Sequence, residues 1–404
     1  MGFAGWRMLS RITALTALAL AVAGCGTGPP RIAVPAALAA EASVPDMDHV
    51  RTWGDAPFSR ALLTGEIPKL KALYQAQAKA GRPVTSDLLA LSGGADDGAF
   101  GAGLIVGWGQ RGDRPEFGLV TGISAGALIA PFAFLGREYD RELAMVFTTY
   151  GSDQIYQAAV LPGLLGGSAL ADSTPLKHLI ERYVDARMLK RIAQERAKGR
   201  FLLVGTTNID AQRPVYWDMG RIAQHGGPRS GELFRKILLA STALPGLFPP
   251  VHFDVVAGGK RYEEMHVDGG ATHGVFLSPV EFSFREIDRT VGMKVDRRLW
   301  VIRNGKLAPE YKVTSETTLA IAQRSLETLS RSQGIGDLAR IYIKAKTDGM
   351  QFRMAFIPES FNAPRPAPFD NSYMKALFAL GQKLGREGYP WSTVPPEVAV
   401  GHVK

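Results

Sequence analysis

The spacing of apolar and polar positions changes period several times along the chain. Leu88-Leu89-Ala90-Leu91 is an unbroken apolar run closed by Ser92-Gly93-Gly94. It is too short for a helix and ends in a turn, so it predicts a buried strand over 87–91. A Gly- and Ala-rich helix follows over 98–108, then a short strand over 117–121 and an apolar helix over 125–135. Strand, loop and helix repeated in this way predict parallel strands joined by right-handed crossovers, an α/β fold with a mainly parallel sheet flanked by helices. Residues 201–207 read as another buried strand, and 233–243 as a helix stopped by Pro245. Upstream, Leu70, Leu73, Tyr74 and Gln77 share helical spacing and predict a surface helix over 67–80.

In the last third, Leu319, Ala322, Leu326 and Leu329 place a helix within 314–332. Residues 340–345 and 351–357 alternate, with Asp348-Gly349 between them, and predict a hairpin. Asn371 is placed to cap a final helix that buries Tyr373, Leu377, Leu380 and Leu384 and ends at Gly388. No polar linker isolates these elements, so they read as part of the same domain.

The beginning of the chain has another pattern. Arg7 and Arg11 precede an apolar run over 12–23, and no acidic residue comes before Glu41. This is the arrangement of a secretory leader. A run of that length spans about 18 Å as a helix, short of a bilayer crossing. It ends Val22-Ala23-Gly24-Cys25, which resembles the bacterial lipobox, and Cys25 is the single cysteine. The expectation is a leader over 1–24 and a lipid anchor on Cys25. Gly26 after it fits sorting to the outer membrane of a bacterial envelope, on the periplasmic face or the cell surface. Ordinary cleavage near Ala23 is the alternative. Pro29, Pro30, Pro35 and Pro45 predict a flexible tether over 26–50. The chain then divides into tether and first helix over 25–85, an α/β core over 86–280, and an extension over 281–404 packed on the same domain.

With 404 residues, 46% hydrophobic and 21% charged, a large core is available and wholesale disorder is excluded. One cysteine excludes a disulfide framework. The net charge of +9 is scattered and comes with no nucleic-acid-binding motif. No nucleic-acid partner is expected, and proximity to anionic headgroups is the plainer reading. His178, His225, His252, His266 and His273 lack ligand spacing, so no metal or other cofactor is expected.

Three motifs carry chemistry. Gly122-Ile123-Ser124-Ala125-Gly126 lies between a predicted strand and a predicted helix. Small neighbours permit the strained turn that lifts a serine hydroxyl out of a sheet and sets it at a helix N-terminus. Ser92-Gly93-Gly94-Ala95-Asp96-Asp97-Gly98 also joins a strand to a helix, and its consecutive glycines let N–H groups of Gly93 and Gly94 converge as an oxyanion hole. A phosphate loop is disfavoured, because the Gly-Lys-Ser/Thr ending is missing and Asp96 and Asp97 would repel phosphate. His266-Val267-Asp268-Gly269-Gly270 supplies a carboxylate that could deprotonate the serine if the two meet in a partly dry site. Asp97-Gly98-Ala99 is a decoy inside the glycine loop.

A glycine-rich loop, then Gly-x-Ser-x-Gly, then Asp-Gly-Gly far downstream resembles the patatin-like phospholipases. Ser241-Thr242-Ala243-Leu244-Pro245-Gly246-Leu247-Phe248-Pro249-Pro250-Val251 resembles the helix and proline turn before that family's Asp strand. The stretch Asp370 to Leu377, with Trp391, resembles the ending of its bacterial lipoprotein members. The resemblance covers roughly 86–392. It implies a three-layer sandwich and a Ser124–Asp268 dyad without histidine. It also implies an oxyanion hole near Gly93 and Gly94, and hydrolysis of acyl esters of the phospholipid or lysophospholipid type. Many members carry a third glycine and then a basic residue where this chain has Ala95-Asp96-Asp97, which bears on headgroup preference. A Ser-Asp-His triad with His273 or His402 as base, and a non-catalytic lipid-binding lipoprotein, are the competing expectations. The oligomeric state is not legible.

Overall fold

The computed structural model describes residues 31–56, 65–158, 167–279 and 282–395. The expected leader, Cys25 and His402 lie outside them. Nine of the described strands form one sheet: β1 (Arg51–Trp53), β2 (Thr85–Leu91), β3 (Phe117–Gly122), β4 (Phe201–Asn208), β5 (Arg213–Asp218), β6 (Val251–Ala257), β7 (Lys260–Asp268), β8 (Asp296–Arg303) and β9 (Gln351–Phe356). The order is β1-β5-β4-β3-β2-β8-β9, with β7 also on β4 and β6 on β7. From β4 to β9 the strands run parallel. An antiparallel wing of β5, β1, β7 and β6 completes the sheet.

The helices named below are α1 (Ile67–Lys79), α2 (Gly98–Arg111), α3 (Ala125–Leu135), α4 (Gly227–Ser241), α5 (Phe284–Val291), α6 (Thr318–Thr347) and α7 (Asn371–Glu387). Successive strand residues point to opposite faces, and both faces are covered. Leu89, Leu91, Val120, Leu202 and Val204 meet Phe100, Leu104, Ile129, Phe234 and Leu377 from α2, α3, α4 and α7. Leu88, Ala90, Leu119, Leu299 and Val301 meet Phe284 of α5 and Leu338, Ile341 and Ala345 of α6. The result is the expected three-layer α/β sandwich. Among the described residues no helix is long and apolar enough to cross a membrane.

The pairing edge of β4 explains how the site forms. β3 pairs with β4 only as far as Gly122 opposite Val204. Beyond that point β7 takes over the edge, placing Asp268 opposite Thr206. The turn that leaves the sheet after β3 therefore stands beside the last residue of β7.

Four expectations change. Residues 31–53 are not a free tether: Ala33 and Ser43 bridge to Glu263 and Val256, and β1 pairs with β5. The expected hairpin is absent, because 340–345 continues α6 and 351–356 is β9, parallel to β8. Leu338, Ile341 and Ala345 are buried at helical spacing while Ile343 is exposed, so period 3.6 governs rather than period 2. The last helix is capped by Asp370, whose carboxylate accepts the Tyr373 N–H at 2.8 Å, and not by Asn371. Finally, the C-terminal third is more than an extension, since it adds two strands to the sheet, β8 beside β2 and β9 at the edge.

Candidate active site

Gly122 and Gly126 bring chain segments too close for a side chain. A Cβ on Gly122 would stand 2.4 Å from the Gly126 oxygen, and one on Gly126 would stand 2.4 Å from the Leu91 oxygen. Between them Ser124 holds φ 53°, ψ −123°, a conformation costing a non-glycine residue about 1–3 kcal/mol. Its N–H donates to Ser241 Oγ at 3.0 Å, and Ser241 Oγ donates to the Gly205 carbonyl at 2.7 Å. Ser241, fully buried at the end of α4, thus ties the strained turn to β4.

Asp268 ends β7 and is buried. Its Oδ2 accepts the Ser124 hydroxyl at 2.7 Å and its Oδ1 accepts the Gly270 N–H at 2.7 Å. Burial pushes the carboxyl up to about 6, against the lowering effect of those two hydrogen bonds. Gly269 lies against the Gly205 carbonyl, 2.5 Å from where a Cβ would be. The structure therefore brings Ser124, Asp268, Gly122, Gly126, Gly269 and Gly270 into one constellation.

The glycine loop lies against the serine: a Cβ on Gly93 would be 3.2 Å from Ser124 Cβ. The expected pair of donors changes, however. Gly93 already gives its N–H to the Gly274 carbonyl at 3.0 Å, because the loop after Asp268 folds back across it. Gly94 and Ala95 donate their N–H groups to no described residue. Asn304, buried just after β8, holds this turn from behind. It donates from its backbone N–H to Ser92 Oγ at 2.8 Å and from Nδ2 to the Ser92 carbonyl at 2.7 Å. Its Oδ1 accepts the Gly101 N–H at 3.1 Å.

The acidic pair of the loop is engaged by the C-terminal segment. Fully buried Asp96 pairs with Arg365 and accepts the Phe369 N–H at 3.0 Å. Asp97 accepts the Tyr373 hydroxyl at 2.6 Å, and burial pushes its carboxyl up to about 6. Arg365 thus balances the charge of the buried Asp96.

Among the described residues no histidine bonds Ser124 or Asp268. His266 is fully buried between Thr206 Oγ1 at 2.9 Å and Glu264 Oε2 at 3.0 Å. His273 reaches the Tyr216 hydroxyl at 3.4 Å. The sequence reading missed the roles of Asn304 and Arg365 altogether, and it treated Ser241 only as part of a resemblance. The signal that could have marked Asn304 is the Asn304-Gly305 turn pair soon after the apolar run 299–302.

A family model described as patatin-like phospholipase matches residues 89–280. No curated protein matches the chain. Among solved structures the chain is similar to VipD from Legionella pneumophila, at 14% identity and a TM-score of 0.32, over 76% of this chain and 68% of that one.

Proposed function

We propose, from the match of residues 89–280 to the patatin-like phospholipase model, that this chain is a lipid acyl hydrolase, a serine ester hydrolase that works through Ser124 and Asp268. The observation that carries this reading is the 2.7 Å contact between the hydroxyl of one and the carboxylate of the other. Asp268 takes the Ser124 proton as Oγ bonds to the acyl carbonyl carbon. The tetrahedral oxyanion is met by the N–H groups of Gly94 and Ala95, which have no other described acceptor. The carbonyl reforms, the ester C–O bond breaks, and the proton on Asp268 passes to the leaving alcohol. Water then gives its proton to Asp268 and attacks the acyl-enzyme, releasing the fatty acid and restoring Ser124.

The substrate class is a phospholipid or lysophospholipid, and the place of action is the bacterial cell envelope. The leader pattern and Cys25 support a lipid anchor, and Gly26 supports the outer membrane.

Lipid-product profiling of the wild type beside Ser124→Ala and Asp268→Asn tests the chemistry. Fatty-acid release should fall at least about 10³-fold in both, while His273→Ala keeps most of it. Activity that survives Asp268→Asn but dies with His273→Ala would overturn the dyad. Cys25→Ser should abolish acyl labelling and move the protein out of the membrane fraction.

A further inference from the structure

The polar groups of the glycine turn can be followed one peptide at a time. The Ser92 N–H donates to the Ile302 carbonyl at 3.0 Å, and the Ser92 carbonyl accepts Asn304 Nδ2. The Gly93 N–H donates to the Gly274 carbonyl, and the Gly93 carbonyl accepts the Ser92 hydroxyl at 2.7 Å. The Gly94 carbonyl accepts the Asp97 N–H at 2.9 Å. A trans peptide sets its N–H opposite its carbonyl. With the carbonyls of Gly93 and Gly94 tied on one side, the N–H groups of Gly94 and Ala95 face the other. Their aim is set by the peptide before them, Ser92–Gly93, which is held at its oxygen by Asn304 and at its N–H by Gly274.

The two anchors differ in how they are themselves held. Asn304 follows directly on β8. Gly274 lies in the loop after Asp268 and has no side chain to limit its rotation, so the direction of its carbonyl depends on what its N–H binds. That partner is Asp337 Oδ2 at 2.7 Å. Asp337 belongs to the part of α6 that packs on the sheet through Leu338, Ile341 and Ala345. The helix comes close here: a Cβ on Gly274 would stand 3.1 Å from Gly334 Cα. The Asp337 side chain is 1% exposed, whereas its other partner, Arg340, is 64% exposed. A carboxylate taken out of water needs its oxygens bonded. An ion pair with an exposed guanidinium does not require that burial; reaching the Gly274 N–H does.

We infer that Asp337 is a positioning residue of the Ser124 site: through Gly274 it fixes the Ser92–Gly93 peptide and so aims the Gly94 and Ala95 N–H groups at the acyl oxygen. Its consequence for turnover rests on the acyl-hydrolase reading, though the geometry does not. Asp337 and Asn304 both lie beyond residues 89–280, the stretch that matches the family model. The C-terminal third thus completes the oxyanion turn from two directions, with Asn304 on the peptide oxygen and Asp337, by way of Gly274, on its N–H.

The test compares Asp337→Ala and Asp337→Asn in the full chain. The asparagine keeps an acceptor oxygen for the Gly274 N–H and gives up the charge; the alanine gives up both. On a water-soluble short-chain ester, Asp337→Ala should lower kcat by about tenfold to 100-fold with KM within about twofold, because the oxyanion exists only in the transition state. Asp337→Asn should stay within about threefold of wild type. Equal losses in the two variants, or a loss carried by KM, overturn the inference. If Asp337→Ala does not fold, Asp337→Glu takes its place. It keeps the charge but shifts the acceptor by one methylene, so the same loss of kcat is expected, and an unchanged kcat overturns the inference. A second readout needs no turnover. Hydrogen exchange at the Gly93 amide, read by fragmentation mass spectrometry, should quicken at least about tenfold in Asp337→Ala or Asp337→Glu and stay slow in Asp337→Asn. Exchange that is the same in all of them also overturns it. A wild type that neither hydrolyses the ester nor takes up a fluorophosphonate counts against the acyl-hydrolase reading, and the exchange data still decide whether Asp337 sets the turn.

Discussion

At the scale of single residues, the site turns on one carboxylate kept in a dry place. Asp268 has its acid pushed up to about 6, chiefly by burial. Only the ionised form can accept the Ser124 proton, so kcat/KM on a soluble ester should fall about tenfold per pH unit below 6 and level off above it. A profile still falling at pH 7 would point to another base. The same shift has a consequence for stability. The folded-state pKa lies above the ordinary value of 3.8, so the fold favours the protonated carboxyl and bears an unfavourable charge once pH passes 6. A shift of about two units corresponds to about 3 kcal/mol. Asp268→Asn should therefore be more stable than wild type at pH 8, by up to that amount, with the gain gone below pH 4. Chemical denaturation at the two pH values checks this. Ser124 and Asp268 were legible in the sequence because the surrounding contacts exclude any side chain at Gly122, Gly126 and Gly269. Gly93 was misread, because its N–H is taken by Gly274, far along the chain, and no local pattern encodes that bond.

At the scale of elements, what the sequence hid is whatever depends on distant partners. The strand 87–91 announces itself as a continuous apolar run, since both of its faces are covered. β8 lies beside it, yet its run is flanked by Asp296, Arg297 and Arg298, and its place in the sheet follows from pairing with a strand some two hundred residues earlier. The grip on the glycine loop is of the same kind. α7 crosses α2 with backbones in contact: a Cβ on Gly107 would stand 2.0 Å from the Gln382 oxygen, and one on Gly381 would stand 2.3 Å from the Phe100 oxygen. That crossing delivers Tyr373 to Asp97, with Arg365 and Phe369 reaching Asp96 from the segment before it. Arg365→Ala leaves Asp96 as a buried, unpaired carboxylate and should cost on the order of 2 kcal/mol, less than for a fully buried pair because Arg365 is partly exposed. It should also lower kcat more than it raises KM, since the loop holding Gly94 and Ala95 loses its anchor. Adding Asp96→Asn should restore most of the stability, because the buried charge is then gone. A double-mutant cycle by denaturation, with kcat and KM on each variant, separates the two effects.

For the molecule as a whole, the dyad is a contact between the two parts of the sheet. Ser124 follows a strand of the parallel part, and Asp268 ends a strand of the antiparallel wing. The distance between them depends on how firmly the wing is held. Part of that hold is a buried chain of polar groups two residues before Asp268. Trp217 Nε1 donates to Thr206 Oγ1 at 2.8 Å, Thr206 meets His266 Nδ1, and His266 Nε2 meets Glu264. Arg51 of β1 closes the chain on Glu264, with one bond at 2.9 Å. Burial lowers the His266 pKa, and the Thr206 hydroxyl can donate to a neutral Nδ1 while Nε2–H donates to Glu264. Glu264 is pulled down to about 2 in spite of burial, by its bonds to His266 and Arg51. A depressed carboxylate contributes stability that is full above its ordinary pKa of 4.5 and is lost as pH falls toward 2. Arg51→Met removes the only full cation in the chain of contacts and strands Glu264 in the interior, a change of about 3–5 kcal/mol. It should also slow inactivation by a fluorophosphonate, because β7 carries Asp268. Arg51→Met with Glu264→Gln should regain most of the stability, and with it the labelling rate, if the wing's position is what Arg51 secures. Recovery of stability without recovery of labelling would show that the distance between Ser124 and Asp268 is set elsewhere, by Ser241 and the Gly205 contact alone.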